Sequence, residues 1–215
     1  KSTLERVNDL LYGVVLRGQK PPMPVSLVPV KKGLIIEEKD FTVSAFPVMH
    51  RGSDSYGYLF EEKSRQPFLA EKADALGIPF GPLRGKLVKG EAVTLEDGRT
   101  IPPELVMGEL RPGARLAALG DLGETASLVP LLQGVDGLVV ESTYLEEEAD
   151  MAKQYSHLTA RMAAEFARQV NARSLILTHL SRRYRDKDVL AEAQSVFPDA
   201  KVARDFDVFQ VKRDW

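Results

Sequence analysis

The stretch RLAALGDLGETASLVPLLQGVDGLVVE, residues 115–141, decides how the chain folds. Two apolar runs, Arg115–Gly120 and Gly137–Val140, each end on a carboxylate, Asp121 and Glu141, with a helical pattern over Glu124–Gln133 between them. Short apolar runs bounded by glycine read as buried strands, and strand–helix–strand order gives a layered α/β architecture. A polar side chain just past the end of such a strand projects into the crevice at the carboxyl edge of the sheet, where open α/β sheets hold their ligands.

The same pattern recurs on either side. Upstream, Phe41–Met49 runs into His50, and its alternation of Phe41, Val43 and Ala45 with Thr42 and Ser44 has the period of a half-buried strand. Downstream, Ser174–Thr178 runs into His179. Two histidines and two carboxylates from four strand ends are thus expected on one rim, a set able to hold a divalent metal or to run acid and base chemistry. Between them, Leu158, Met162, Phe166 and Val170 recur every four residues while Arg161, Glu165, Arg168 and Gln169 face away, so Leu158–Val170 is a helix whose stripe is core. His157 stands at its start, with Ser156 or Thr159 available as the cap, where the helix dipole disfavours an imidazolium unless an acid answers it. Glu141 is the nearest such acid by position. The run Leu145–Asp150 reads as a solvated helix start, and a helix over Asp186–Val196 precedes closing short strands.

The chain begins at Lys1 inside a helical pattern, with Leu4, Val7, Leu10, Leu11 and Val14 on one apolar face, so it is expected to be a piece of a longer protein. That helix ends near Gly13–Gly18. Extended segments follow at Gly33–Glu38, at Phe41–Val48 and, after the polar turn RGSDS, in YGYLFEE. The texture then changes. Ser64–Pro112 is rich in proline, glycine and charge, with Asp97-Gly98 reading as a hairpin turn between short strands. This excursion is either a surface insertion or a protruding arm whose Arg84, Lys86 and Lys89 meet phosphates.

The 215 residues, 44% apolar and 28% charged, suit one soluble α/β domain. No cysteine is present, so thiolate metal sites, disulfides and cysteine nucleophiles are excluded, histidine and carboxylate remain as ligands, and a reducing cytoplasm fits. No apolar run approaches the roughly 18 residues of a spanning helix, so no membrane partner is expected. A net charge of -2 opposes indiscriminate nucleic-acid binding but leaves room for a local basic patch. The glycines of GDLGET form neither GxGxxG nor a Walker loop, and Ser55 near His50 lacks a nucleophile elbow.

In this order and at these spacings, MHRGSDSYGYLFEE, LGIPFGPLRGKLVKGEAVTLEDGR, LGDLGET, VVESTY, YSHLTARMAAEFA and LILTHLSRRY resemble ribonuclease Z, the endonuclease family that trims precursor tRNA 3′ ends. The resemblance covers essentially residues 1–215. It implies a metallo-β-lactamase-like, four-layer αβ/βα sandwich, incomplete on its N-terminal side, with an inserted tRNA-binding arm at residues 66–101. It further implies two zincs per complete site, with His50 and His179 as ligands and Asp121 bridging the metals. His157 then resembles the catalytic histidine, Glu141 the acid that orients it, and Arg183 a phosphate-binding arginine beside the arm's Arg84, Lys86 and Lys89. A homodimer is implied, one subunit's arm serving the other's site.

The departures matter equally. The family's HxHxDH motif is absent, GDLG stands where GDT and a charged residue are usual, and Val140 replaces the histidine of HEAT. Without HxHxDH each metal is left two protein ligands, below the three of an open catalytic zinc site. The expected function is a zinc-dependent endoribonuclease removing the 3′ trailer from precursor tRNA. The alternatives are a non-catalytic RNA-binding module that keeps the arm, and a phosphodiesterase of the same fold acting on another substrate.

Overall fold

The computed structural model describes residues 2–213. Its centre is one seven-stranded sheet, ordered β1-β2-β3-β6-β7-β8-β9, built from β1 (Gly33–Glu37), β2 (Phe41–His50), β3 (Gly52–Glu62), β6 (Arg115–Ala118), β7 (Gly137–Glu141), β8 (Leu175–Thr178) and β9 (Lys201–Val202). The two short strands β4 (Val93–Thr94) and β5 (Thr100–Ile101) pair apart from it. β1, β2, β3 and β6 are joined antiparallel, and β6 to β9 run parallel. β2 therefore points the same way as β6, β7 and β8, and the carboxyl ends of all four lie along one edge. Among the described residues this is the one large sheet, where a complete four-layer sandwich has two.

Buried parallel strands need apolar residues on both faces; in β7, Leu138 and Val140 at 0% exposure fill one face and half-buried Val139 lies on the other. Helix α6 (Ala160–Gln169) lies against β7 and β8, burying Ala160, Ala163, Ala164, Phe166 and Ala167. Its alanines let the helix approach the sheet closely, and the expected stripe of Leu158, Met162, Phe166 and Val170 packs into the same core. Thr159, rather than Ser156, caps it by accepting the N–H of Met162 at 3.1 Å. Helix α5 (Ala149–Tyr155) precedes it after a 3-10 turn at Glu146–Glu148, and α7 (Asp186–Gln194) packs on α6. The helix expected over Glu124–Gln133 is shorter: a 3-10 turn at Ala126–Leu128 and one turn of α4 (Val129–Leu132), since Pro130 gives the first turn no N–H and Gly134 leaves in a left-handed conformation.

The opening helix is α1 (Thr3–Asn8), continuing as a π-helix over Asp9–Val15, and its stripe is not core: Val7, Leu10 and Val14 are 41%, 56% and 64% exposed. The segment that contains residues 66–101 packs on a small core of its own that also takes in Val106, and the peptides of Arg65 and Arg111 exchange hydrogen bonds of 2.9 and 2.8 Å at its root. That core gathers Ala73, Ile78, Leu87, Val93, Leu95, Ile101 and Val106 from α2 (Ala70–Ala75), α3 (Pro82–Val88) and the β4–β5 hairpin. The hairpin turns at Gly98, whose φ of +84° is the left-handed backbone that glycine adopts at least cost.

Candidate active site

Because β2, β6, β7 and β8 end along one edge, the residues at their carboxyl termini meet. His50 is the last residue of β2, Glu141 the last of β7, and Asp121 and His179 follow β6 and β8 in the connecting loops. Asp121 sits between two imidazoles: one carboxylate oxygen lies 3.9 Å from Nε2 of His50 and the other 3.3 Å from Nε2 of His179. His157, from the turn between α5 and α6, is centred between the same two rings, 5.0 Å from His50 and 5.5 Å from His179, stacked on the latter.

Two of the three imidazoles are oriented from behind. Nδ1 of His50 lies 2.9 Å from the carbonyl oxygen of Ser156, which can only accept, so Nδ1 carries the proton and the Nε2 lone pair faces Asp121. Nδ1 of His157 is 2.9 Å from Glu141, which is 0% exposed and also accepts the N–H of Leu122 at 2.8 Å and the hydroxyl of Thr143. The Nε2 of His157 is thus the nitrogen left for chemistry. His179 takes a left-handed backbone, φ +53°, which turns the chain sharply at the end of β8. Its carbonyl is held by the Thr143 hydroxyl at 3.1 Å.

Thr143 therefore touches Glu141, His157 (3.4 Å) and His179 together, and sequence reading passed over it. The signal was there: in an extended segment residues i and i+2 share a face, so the second residue after Glu141 points where Glu141 points. The loop after Asp121 is pinned to β2 by the N–H of Gly123 donating to Met49 at 2.8 Å. Further along it, the hydroxyl of Ser127 holds the Glu124 carboxyl below its ordinary range, helped by the backbone N–H groups of Ser127 and Ala126.

The donor chemistry suits a divalent cation. One ligand atom from each of His50, Asp121 and His157 lies within 4.8 Å of the others, and Asp121 offers a separate oxygen toward His179. This brings His157, expected as an acid rather than a ligand, as close to the cluster as the expected ligands. Arg183 lies in the loop after His179, ion-paired to Glu148 at 3.1 Å and 55% exposed. In the arm, Lys86 and Lys89 are exposed. Arg84 is 15% exposed, and its guanidinium donates to the carbonyl of Ile78 and pairs with Asp74, so it braces this segment from within.

No family model matches the chain. Curated relatives do: ribonuclease Z of Bradyrhizobium diazoefficiens is 42% identical over 205 residues, 95% of this chain and 68% of that protein. Ribonuclease Z of Bradyrhizobium sp. is 40% identical with the same coverage, and that of Listeria monocytogenes 40% identical over 91% of this chain and 65% of its own length. Among solved structures, the metallo-β-lactamase fold protein YhfI of Bacillus subtilis superimposes with a TM-score of 0.52 at 14% identity, over 86% of this chain and 55% of that one. A diphosphatase of the PhnP family gives 0.52 at 15% identity, over 94% and 52%. The fold is that of the metallo-β-lactamases, and at 42% identity over nearly all of its residues the chain belongs to the ribonuclease Z family.

Proposed function

We propose that the chain forms the metal-binding and RNA-gripping part of a zinc-dependent endoribonuclease that removes the 3′ trailer from precursor tRNA in the cytoplasm. The observation that carries this reading is Asp121 facing a histidine with each carboxylate oxygen while a buried carboxylate orients a third histidine beside them. His50 and one oxygen of Asp121 would hold one zinc, and the other oxygen with His179 a second. Zinc in that position supplies Lewis-acid activation of water and charge neutralisation at phosphorus.

His157 has the place of a general acid. Glu141 fixes its Nδ1–H, which leaves Nε2 free to carry the proton that would go to the departing oxygen of a scissile phosphodiester. Arg183 stands on the same rim, and releasing Glu148 would free its guanidinium for a substrate phosphate. Lys86 and Lys89 would hold tRNA at a distance from the cut. The arm leaves from the end of β3 and returns into the start of β6, so it roots at the sheet edge opposite the histidines. That placement favours a homodimer in which the arm of one copy serves the site of the other.

One observation favours a second reading, an RNA-binding module without activity: with His157 kept as the acid, two ligands for each metal are fewer than a catalytic zinc site uses. Incubating a precursor tRNA bearing a 3′ trailer with this chain, alone and together with the HxHxDH-bearing segment of a ribonuclease Z, separates the two. A single chelator-sensitive cut that needs both parts supports the enzyme. Binding with no cut under either condition supports the module, and a cut insensitive to chelator would overturn the metal assignment.

A further inference from the structure

At the root of the arm a cavity of about 620 Å³ opens among Arg65, Arg111, Lys212, Arg213 and Glu62. Three segments distant in sequence supply its cations: the exit from β3, the return of the arm and the C-terminal stretch. In a chain of net charge -2 this is a local excess of positive charge. Glu62 accepts the N–H of Ala114 at 3.0 Å, and Asp136, 2% exposed, lies 3.2 Å from Arg173 and 3.9 Å from Nε of Arg213. Arg213 also donates to the carbonyl of Gly113. The exposed side chains of Arg65 and Lys212 have no hydrogen bond or ion pair among the described residues.

Cations gathered in a concavity repel one another until an anion enters, and a low-dielectric wall strengthens their joint field. Arginine forks match phosphate oxygens in pairs, and the space exceeds what one phosphate fills. We propose that this cavity is a second RNA-binding site, taking backbone phosphates of the RNA that the arm engages. The proposal rests on the RNA reading above but concerns residues outside both the histidine rim and the arm's lysines. β6 separates the cavity from Asp121, so the site anchors RNA and takes no part in cleavage.

The test is the salt dependence of tRNA binding to the 215-residue chain, followed by fluorescence anisotropy between about 50 and 200 mM KCl. Arg65→Ala/Lys212→Ala should lower the slope of log K against log salt by about two, near one for each phosphate no longer neutralised. Arg65→Lys/Lys212→Arg, which keeps the charge, should restore it and so exclude a folding defect. Lys86→Ala/Lys89→Ala reports on the arm separately. An unchanged slope in the alanine pair with a reduced one in the lysine pair overturns the cavity and spares the arm, and the reverse result supports the cavity against the arm. Failure of the charge-keeping pair to restore binding, or no tRNA binding by the unaltered chain, also overturns the proposal.

Discussion

Gly123→Ala probes the scaffold of the site without touching a ligand. A Cβ on Gly123 would lie 2.8 Å from Cα and 2.9 Å from Cβ of Ser156, well inside ordinary contact, and Gly123 is tied to Met49 through its N–H. Ser156 must therefore yield, and its carbonyl is what fixes the tautomer and direction of His50. Overpacking of this kind costs about 1–3 kcal/mol. For a protein of this size that lowers Tm by roughly 2–12 °C. Because the displaced group orients a histidine proposed as a zinc ligand, zinc affinity should fall about 10–100-fold. Gly120→Ala is the control, since a Cβ there meets nothing within 4 Å although it adjoins Asp121. Thermal unfolding by circular dichroism and zinc titration by calorimetry read both quantities. Unchanged zinc affinity in Gly123→Ala, or equal damage from Gly120→Ala, would refute the link from Gly123 through Ser156 to His50.

Other expectations follow from the same geometry. After dialysis the chain alone should retain less than one zinc per molecule by metal analysis, because its own residues offer too few ligands. In an enzyme completed with HxHxDH, His157→Ala should keep its zinc and lose about 10²-fold or more in turnover, whereas His179→Ala should lose zinc as well; equal zinc loss from both would make His157 a ligand, as its closeness to His50 and Asp121 allows. Glu141→Gln in that enzyme should resemble a milder His157→Ala. Thr143→Val should cost about 1–3 kcal/mol in urea unfolding by leaving Glu141 short of a donor, and Thr143→Ser should restore most of it. Ser127→Ala should return the Glu124 carboxyl toward 4.5, followed by NMR titration. The stabilisation from Glu124, present above that value and lost as pH falls through the lowered one, should shrink in that variant.

Much of the site was legible because a single rule governs it: an apolar strand deposits the next polar residue on the rim. His50, Asp121, Glu141 and His179 obey it since β2, β6, β7 and β8 all point one way. What the rule does not carry is contact between distant loops. That His50 is held by Ser156 depends on a left-handed residue at the end of α5, φ +58°, for which serine gives no signal. Arg84, Lys86 and Lys89 look alike as cations in a glycine-proline stretch, and only tertiary structure brings Ile78 and Asp74 to Arg84. The same prolines and glycines hid α2 and α3, whose six and seven residues give too little periodicity to read. The opening stripe was legible as a pattern, but a pattern does not supply the surface that would cover it.

The arm joins the body at two points that already bond to each other, Glu62 to Ala114 and Arg65 to Arg111, and everything beyond them packs on a core of its own. A segment attached in this way can lengthen, shorten or be exchanged with little effect on the register of β3 and β6, because the penalty for closing it grows only with the logarithm of its length. On the function proposed above, selection can thus refashion what the arm grasps independently of how the rim cuts, and lineages carrying the same histidine rim are free to diverge in the nucleic acids they accept.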